Sequence, residues 1–174
     1  MKIRPKAIKR ILQRLGSEIY PFPVDKVDVG GEKVKISFFS SRGTHPVYTV
    51  VRDREEVEED ITRLYEKERV IAGMIVDCDL LGIPKVGLNR LYGVPSVKVK
   101  QLESKFREGI KPYLSGYSAE MPRCVMIGSG MQTDIIFEPH VPELETKPSI
   151  RPVYFEKRRE KAISEILKER GLSI

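Results

Sequence analysis

Two runs rich in β-branched residues meet at a pair of glycines, and this junction constrains the chain more than any other local feature. Val24–Val29 and Glu32–Phe39 flank Gly30-Gly31. Glycine accepts the positive φ angles of a tight hairpin turn, and the flanking Val, Ile and Phe suit a pleated, half-buried surface. An antiparallel hairpin is therefore predicted early in the chain. Before it, Ala7, Ile8, Ile11, Leu12 and Leu15 recur three and four residues apart behind Pro5. That spacing predicts an amphipathic helix over 5–15, ending at Gly16.

Beyond the hairpin, Ser40–Thr44 reads as a loop and Pro46–Val51 as a strand. Asp53 and Glu56 have capping-box spacing, and Val57, Ile61, Leu64 and Tyr65 then predict a helix to about residue 69. Val70–Cys78 is short, apolar and rich in β-branched residues, which predicts a buried strand over 72–77. Gly82, Pro84, Gly87, Gly93 and Pro95 interrupt the next stretch. From Ser96, the positions Val99, Leu102, Phe106, Ile110 and Tyr113 form one helical stripe, so a helix to about 110 is expected. Arg123–Ile127 and Thr133–Phe137 read as strands joined around Gly128-Ser129-Gly130. A nucleotide-binding loop would need a third glycine and a following helix there, so a hairpin turn is the better reading.

Four prolines (Pro139, Pro142, Pro148, Pro152) mark 139–152 as a linker. Phe155, Ala162, Ile163, Ile166 and Leu167 predict a final helix over 153–170. The expected fold is α+β, a mainly antiparallel or mixed sheet of about six strands packed by about four helices. Residues 1–138 are expected to form one domain, with 153–174 packing on it or on a partner subunit.

Composition narrows the function classes. No apolar stretch approaches the ~20 residues of a membrane span, and Met1–Lys6 lacks the apolar run of a signal peptide. A cytoplasmic protein with no membrane partner is expected. Two cysteines and two histidines are too few for a disulfide scaffold or a Cys/His zinc module. Asn89 is the only asparagine, and Lys, Arg and Glu are abundant, a bias expected of heat-adapted proteins.

The 31 Lys and Arg against 25 Asp and Glu leave a net charge of +6, and its distribution suggests a partner. Lys2, Arg4, Lys6, Lys9, Arg10 and Arg14 precede the first acid, Glu18. With Ile8, Ile11, Leu12 and Leu15 facing inward, Lys6, Lys9, Arg10 and Arg14 must face water, where they could contact the phosphates of a nucleic acid. Lys98, Lys100 and Arg107 are a second candidate patch. The stretch Lys85–Leu102, aligned on Gly93, also resembles a helix-turn-helix unit. Asn89 at a crowded position and Gly87 in the short first helix favour a plain amphipathic helix on the sheet instead.

Two further chemistries are expected alternatives. The apolar run ending in Asp77-Cys78-Asp79 resembles the first motif of haloacid-dehalogenase-type phosphatases. That resemblance implies a Mg²⁺ at Asp77 and Asp79 for phosphoryl transfer or nuclease action, although Leu80-Leu81-Gly82 follows in place of the usual Gly-Thr. A non-catalytic assembly protein would instead form a homo-oligomer through Phe155, Ile163, Ile166 and Leu167. His45 lies in a polar loop with Ser41, Arg42 and Thr44, and His140 in the linker. Cys78 and Cys124 both fall on expected buried strands, where neighbouring strands would let them pair.

Overall fold

Pro5 opens the first helix, α1 (Pro5–Ile19), and Ile8, Ile11, Leu12 and Leu15 are all buried along it. The helix continues through Gly16, where the spacing had placed its end. It stops before Pro21, because a residue preceding proline is pushed out of the helical region. Tyr20 is accordingly extended, with φ −113° and ψ 152°. The computed structural model of the chain describes residues 2–40, 46–114, 122–128, 132–138 and 152–174. Most of the expected 40–44 loop, His45, His140 and positions 139–151 of the expected linker lie outside the described residues.

The chain forms two compact units, Met1–Glu66 with Lys168–Ile174, and Lys67–Leu167. In the first, β1 (Val24–Val29), β2 (Lys33–Phe39) and β3 (Pro46–Asp53) form an antiparallel sheet in that order. The predicted hairpin is present, but its turn is centred one residue later, on Gly31-Glu32. Neither Gly30 nor Gly31 has a positive φ. Pairing explains the shift: the observed register sets Val27 opposite Ile36 and Val29 opposite Val34. A turn on Gly30-Gly31 would have set Val29 opposite Glu32, a poorer cross-strand pair. Val27, Val34, Ile36 and Phe38 are buried on the sheet's inner face.

The main correction concerns 72–77. These residues are not a strand; they lie inside α2 (Arg54–Leu81), a single helix of 28 residues. Its first half is amphipathic, with Glu55 and Glu56 in the first turn, where the helix dipole favours acids. From Ile71 to Cys78 every residue is buried, so the apolar pattern loses its helical period. No proline interrupts the helix before it ends at Gly82. There Ile83 N–H donates to Cys78 O (2.8 Å) and Gly82 N–H to Asp79 O (3.3 Å), the paired bonds of a Schellman cap. Gly82 takes the left-handed φ of +68° that this cap requires.

The second unit holds the rest: β4 (Lys85–Val86), α3 (Ser96–Leu114), β5 (Arg123–Ile127), β6 (Asp134–Glu138) and most of α4 (Pro152–Arg170). Its sheet is mixed, β4 parallel and β6 antiparallel to β5. The short β4 takes the place of the strand expected at 72–77. Met74, Cys78 and Leu81 of α2 share one core with Val99, Leu102, Phe106 and Ile110 of α3 and with Cys124, Met126 and Ile135 of the sheet. Leu88–Gly93 is one 3₁₀ segment entered from Gly87 at φ +77°, so the first α-helix of a helix-turn-helix unit is missing. The class is α+β as expected, with six strands divided into two sheets.

The cap at Gly82 tests the helical course of 72–81. A Cβ at left-handed φ costs about 1 kcal/mol. Gly82→Ala is expected to lower the unfolding free energy in denaturant titrations by about that amount, and Gly82→Asn by less.

Candidate functional site

The outward face of α1 carries Lys6, Lys9, Arg10, Gln13, Arg14 and Ser17, all exposed, and Lys2 and Arg4 are exposed just before it. The six cations at positions 2–14 make no ion pair with a carboxylate among the described residues. Other cations of the same unit do: Lys26 with Asp28, Arg52 with Asp60 and Glu56, and Arg54 with Glu58. The difference is local in origin, since α1 has no acid in its first turn and the residues before it none either.

Within this face the arginines and lysines separate. Arg10 donates from Nη2 to Ser173 O (2.8 Å), and Arg14 from Nη2 to Glu169 O (2.7 Å). Glu169 lies in the last turn of α4, whose carbonyls lack partners within the helix and carry partial negative charge, so the Arg14 guanidinium satisfies one of them; Ser173 lies beyond the helix end. Arg14 also lies across Gly171, whose φ is +89°. Lys6 and Lys9 have no such partner among the described residues.

The second basic patch is not brought together. Lys100 and Arg107 are exposed on one side of α3, but Lys98 is half-buried on nearly the opposite side of the helix. Arg107 is already paired with Glu103 (2.7 Å). Lys98 acts instead on Asp134, whose carboxyl is held below the usual range by the hydrogen bond from Lys105 and, more weakly, by the Lys98 charge.

Asp77 and Asp79 are likewise separated. Both lie on α2, not at a strand end, and residues two apart on a helix face away from each other. Each has a cation. Arg159 of α4 donates to both oxygens of Asp77, from Nε at 2.6 Å and Nη2 at 3.3 Å, and Lys85 donates to Asp79 at 2.7 Å. Arg159 lies against Gly73, where a Cβ would come within 2.7 Å of its Nη2 and make the guanidinium shift. Among the described residues no group of three or more His, Cys, Asp and Glu is placed to hold a metal ion. The Arg159 partner, 82 residues away, leaves no local signal in the sequence.

The apolar side of α4 finds cover within the chain. Ile163 and Leu167 are buried, and Ile166 packs against the second unit's core. No helix among the described residues is long and apolar enough to cross a membrane. Compared with known proteins, the chain matches no family model, no curated protein and no solved structure.

The Asp77–Arg159 pair makes a pH-dependent prediction. Burial pushes the Asp77 carboxyl above the usual aspartate range, and Arg159 only partly counters it. Arg159→Met leaves a desolvated carboxylate. We expect a loss of roughly 2–3 kcal/mol near neutral pH, modest for a buried pair because the arginine keeps 26% of its side-chain surface exposed. An acid whose folded pKa is raised binds more protons in the folded state, so its unfavourable contribution fades as pH falls through that pKa. Urea titrations should therefore show the variant recovering stability between neutral and acidic pH. Asp77→Asn in the same background should remove that recovery.

Proposed function

We propose that the protein binds nucleic acid through phosphate contacts made by the outward face of α1. One observation carries this reading: six exposed cations at positions 2–14 without a carboxylate partner among the described residues. Folding accounts for Arg10 and Arg14, which hold Ser173 O and Glu169 O, but does not favour Lys6 and Lys9. The amino-terminal end of a helix carries positive partial charge, so cations there cost a few tenths of a kcal/mol each, and acids would stabilise it. A polyanion reverses the sign. The positive end of the helix and the ammonium groups of Lys6 and Lys9 would then attract the same phosphates.

The scale of the face fits a duplex backbone. Lys6 and Arg14 are separated by about 12 Å along the helix, the rise of three to four base pairs. Arg10 spends one donor on Ser173 O and Arg14 one on Glu169 O, and both keep others for solvent or phosphate. Contacts of this kind position a protein on the backbone and carry no base sequence, so affinity without sequence preference is the expected behaviour.

Fluorescence anisotropy with a short labelled DNA duplex tests the reading. Four phosphates neutralised give a log–log salt slope of about −3.6, which is about a hundredfold weaker binding between roughly 50 and 200 mM salt. Lys6→Glu with Lys9→Glu should weaken binding at low salt by more than tenfold and flatten the slope by about 2, without lowering thermal stability. Arg14→Ala should lower the melting temperature as well, because it uncaps α4. No binding at low salt, or full binding by the lysine double variant, would overturn the proposal.

A further inference from the structure

We infer that Cys78 and Cys124 are a modification site, closing an intrachain disulfide that ties α2 to β5. The two are the only cysteines of the chain and lie far apart in sequence. Adjacent residues bring them together. Ile83 N–H donates to Cys78 O at 2.8 Å, and Cys124 N–H donates to the neighbouring Pro84 O at 3.1 Å. Lys85 is then paired with Cys124 in the parallel ladder. The Schellman cap that ends α2 and the first bond of the mixed sheet therefore fix the two backbones on either side of one dipeptide.

The side chains complete the approach. Both residues are wholly buried in the second unit's core, and the two thiols share a hydrogen bond. The Cys78 thiol is pushed above the usual range, chiefly by its contact with Cys124 and by burial. Both are free thiols in this structure. Two isolated core cysteines would pack as small hydrophobes among Met74, Leu81 and Met126, with no reason to meet. Here they meet, on an element pair that the backbone already holds in place.

The chemistry balances with a low-molecular-weight disulfide as oxidant. Cys124, as thiolate, attacks one sulfur of that disulfide, forming a mixed disulfide and releasing one small thiol. Cys78 then loses its proton and attacks the Cys124 sulfur, closing the protein bond and releasing the second small thiol. Two protein thiols and one small disulfide become one protein disulfide and two small thiols. Neither sulfur reaches solvent in the folded chain, so the exchange runs in chains still folding or transiently open.

The full chain is refolded with an oxidised small-molecule disulfide, alkylated in denaturant and weighed intact. The expected product is two hydrogens lighter than the reduced chain, carries no alkyl group and melts at a higher temperature than the reduced form. Closure should be favoured in the folded chain over the same chain in denaturant by on the order of a hundredfold. Cys78→Ala and Cys124→Ala should each abolish the mass change. Two alkylated cysteines, a stable mixed disulfide, covalent dimers, or closure no easier folded than unfolded would overturn the inference; the reading on the unsubstituted chain stands whether or not either variant folds.

Discussion

Burial of α2 on every side from Ile71 to Cys78 is the constraint from which the second unit follows. A segment with no solvated face must satisfy its backbone internally, and a helix does so where an isolated strand could not. The same enclosure acts on side chains. Asp77 cannot keep its charge there without a partner, and α4 supplies Arg159, which lies against Gly73. Cys78, one residue on, is enclosed by β5 and meets Cys124. The Schellman cap at Gly82 then turns the chain so that Ile83 and Pro84 tie the helix end to the sheet. Fold, ion pair and thiol pair are one packing solution.

The first unit solves a different problem with the same side-chain type. Arg10 and Arg14 lie on a helix whose opposite face is buried, and their guanidinium groups reach Ser173 O beyond α4 and Glu169 O in its last turn. A planar fork with several donors can do this and remain partly solvated, which a lysine ammonium does less well. Conserving these arginines in an engineered protein would therefore preserve stability first. The lysines beside them have no comparable duty in the fold.

Much of this was legible in the sequence, and the failures have physical causes. The α1 face, the α3 stripe of Val99, Leu102, Phe106 and Ile110, and β5 follow from apolar spacing, because each has one buried and one solvated side. Residues 72–77 were misread because all-round burial erases the period that separates helix from strand. The absence of any proline between Asp53 and Pro84, in a segment with a strong helical start, was the usable signal. Gly30-Gly31 announced a turn but not its register, which the apolar pairs Val27–Ile36 and Val29–Val34 decided. For the candidate sites, the cations of α1 were visible as a run without acids. The cations facing Asp77 and Asp79 were not all so local: Lys85 lies six residues from Asp79, but Arg159 reaches Asp77 from another helix.

The asymmetry of α1 carries the functional argument further than charge alone. Its inner face is fixed by packing: truncating Ile8, Ile11 or Leu12, all wholly buried, opens a cavity in the core. On its outer face the fold uses Arg10 and Arg14, which hold Ser173 O and Glu169 O, whereas at Lys6 and Lys9 any solvated residue would serve. Local energetics would choose Asp or Glu near Pro5 and intersperse both signs further on, as in the first turn of α2. The chain does the reverse at Lys6 and Lys9, at a small cost in helix stability. A local rule broken twice in one direction, on a surface that packing leaves free, marks a demand from outside the fold. Under the proposed function, negative charge brought by a ligand would turn the choice of lysine at positions 6 and 9 from a cost into a gain.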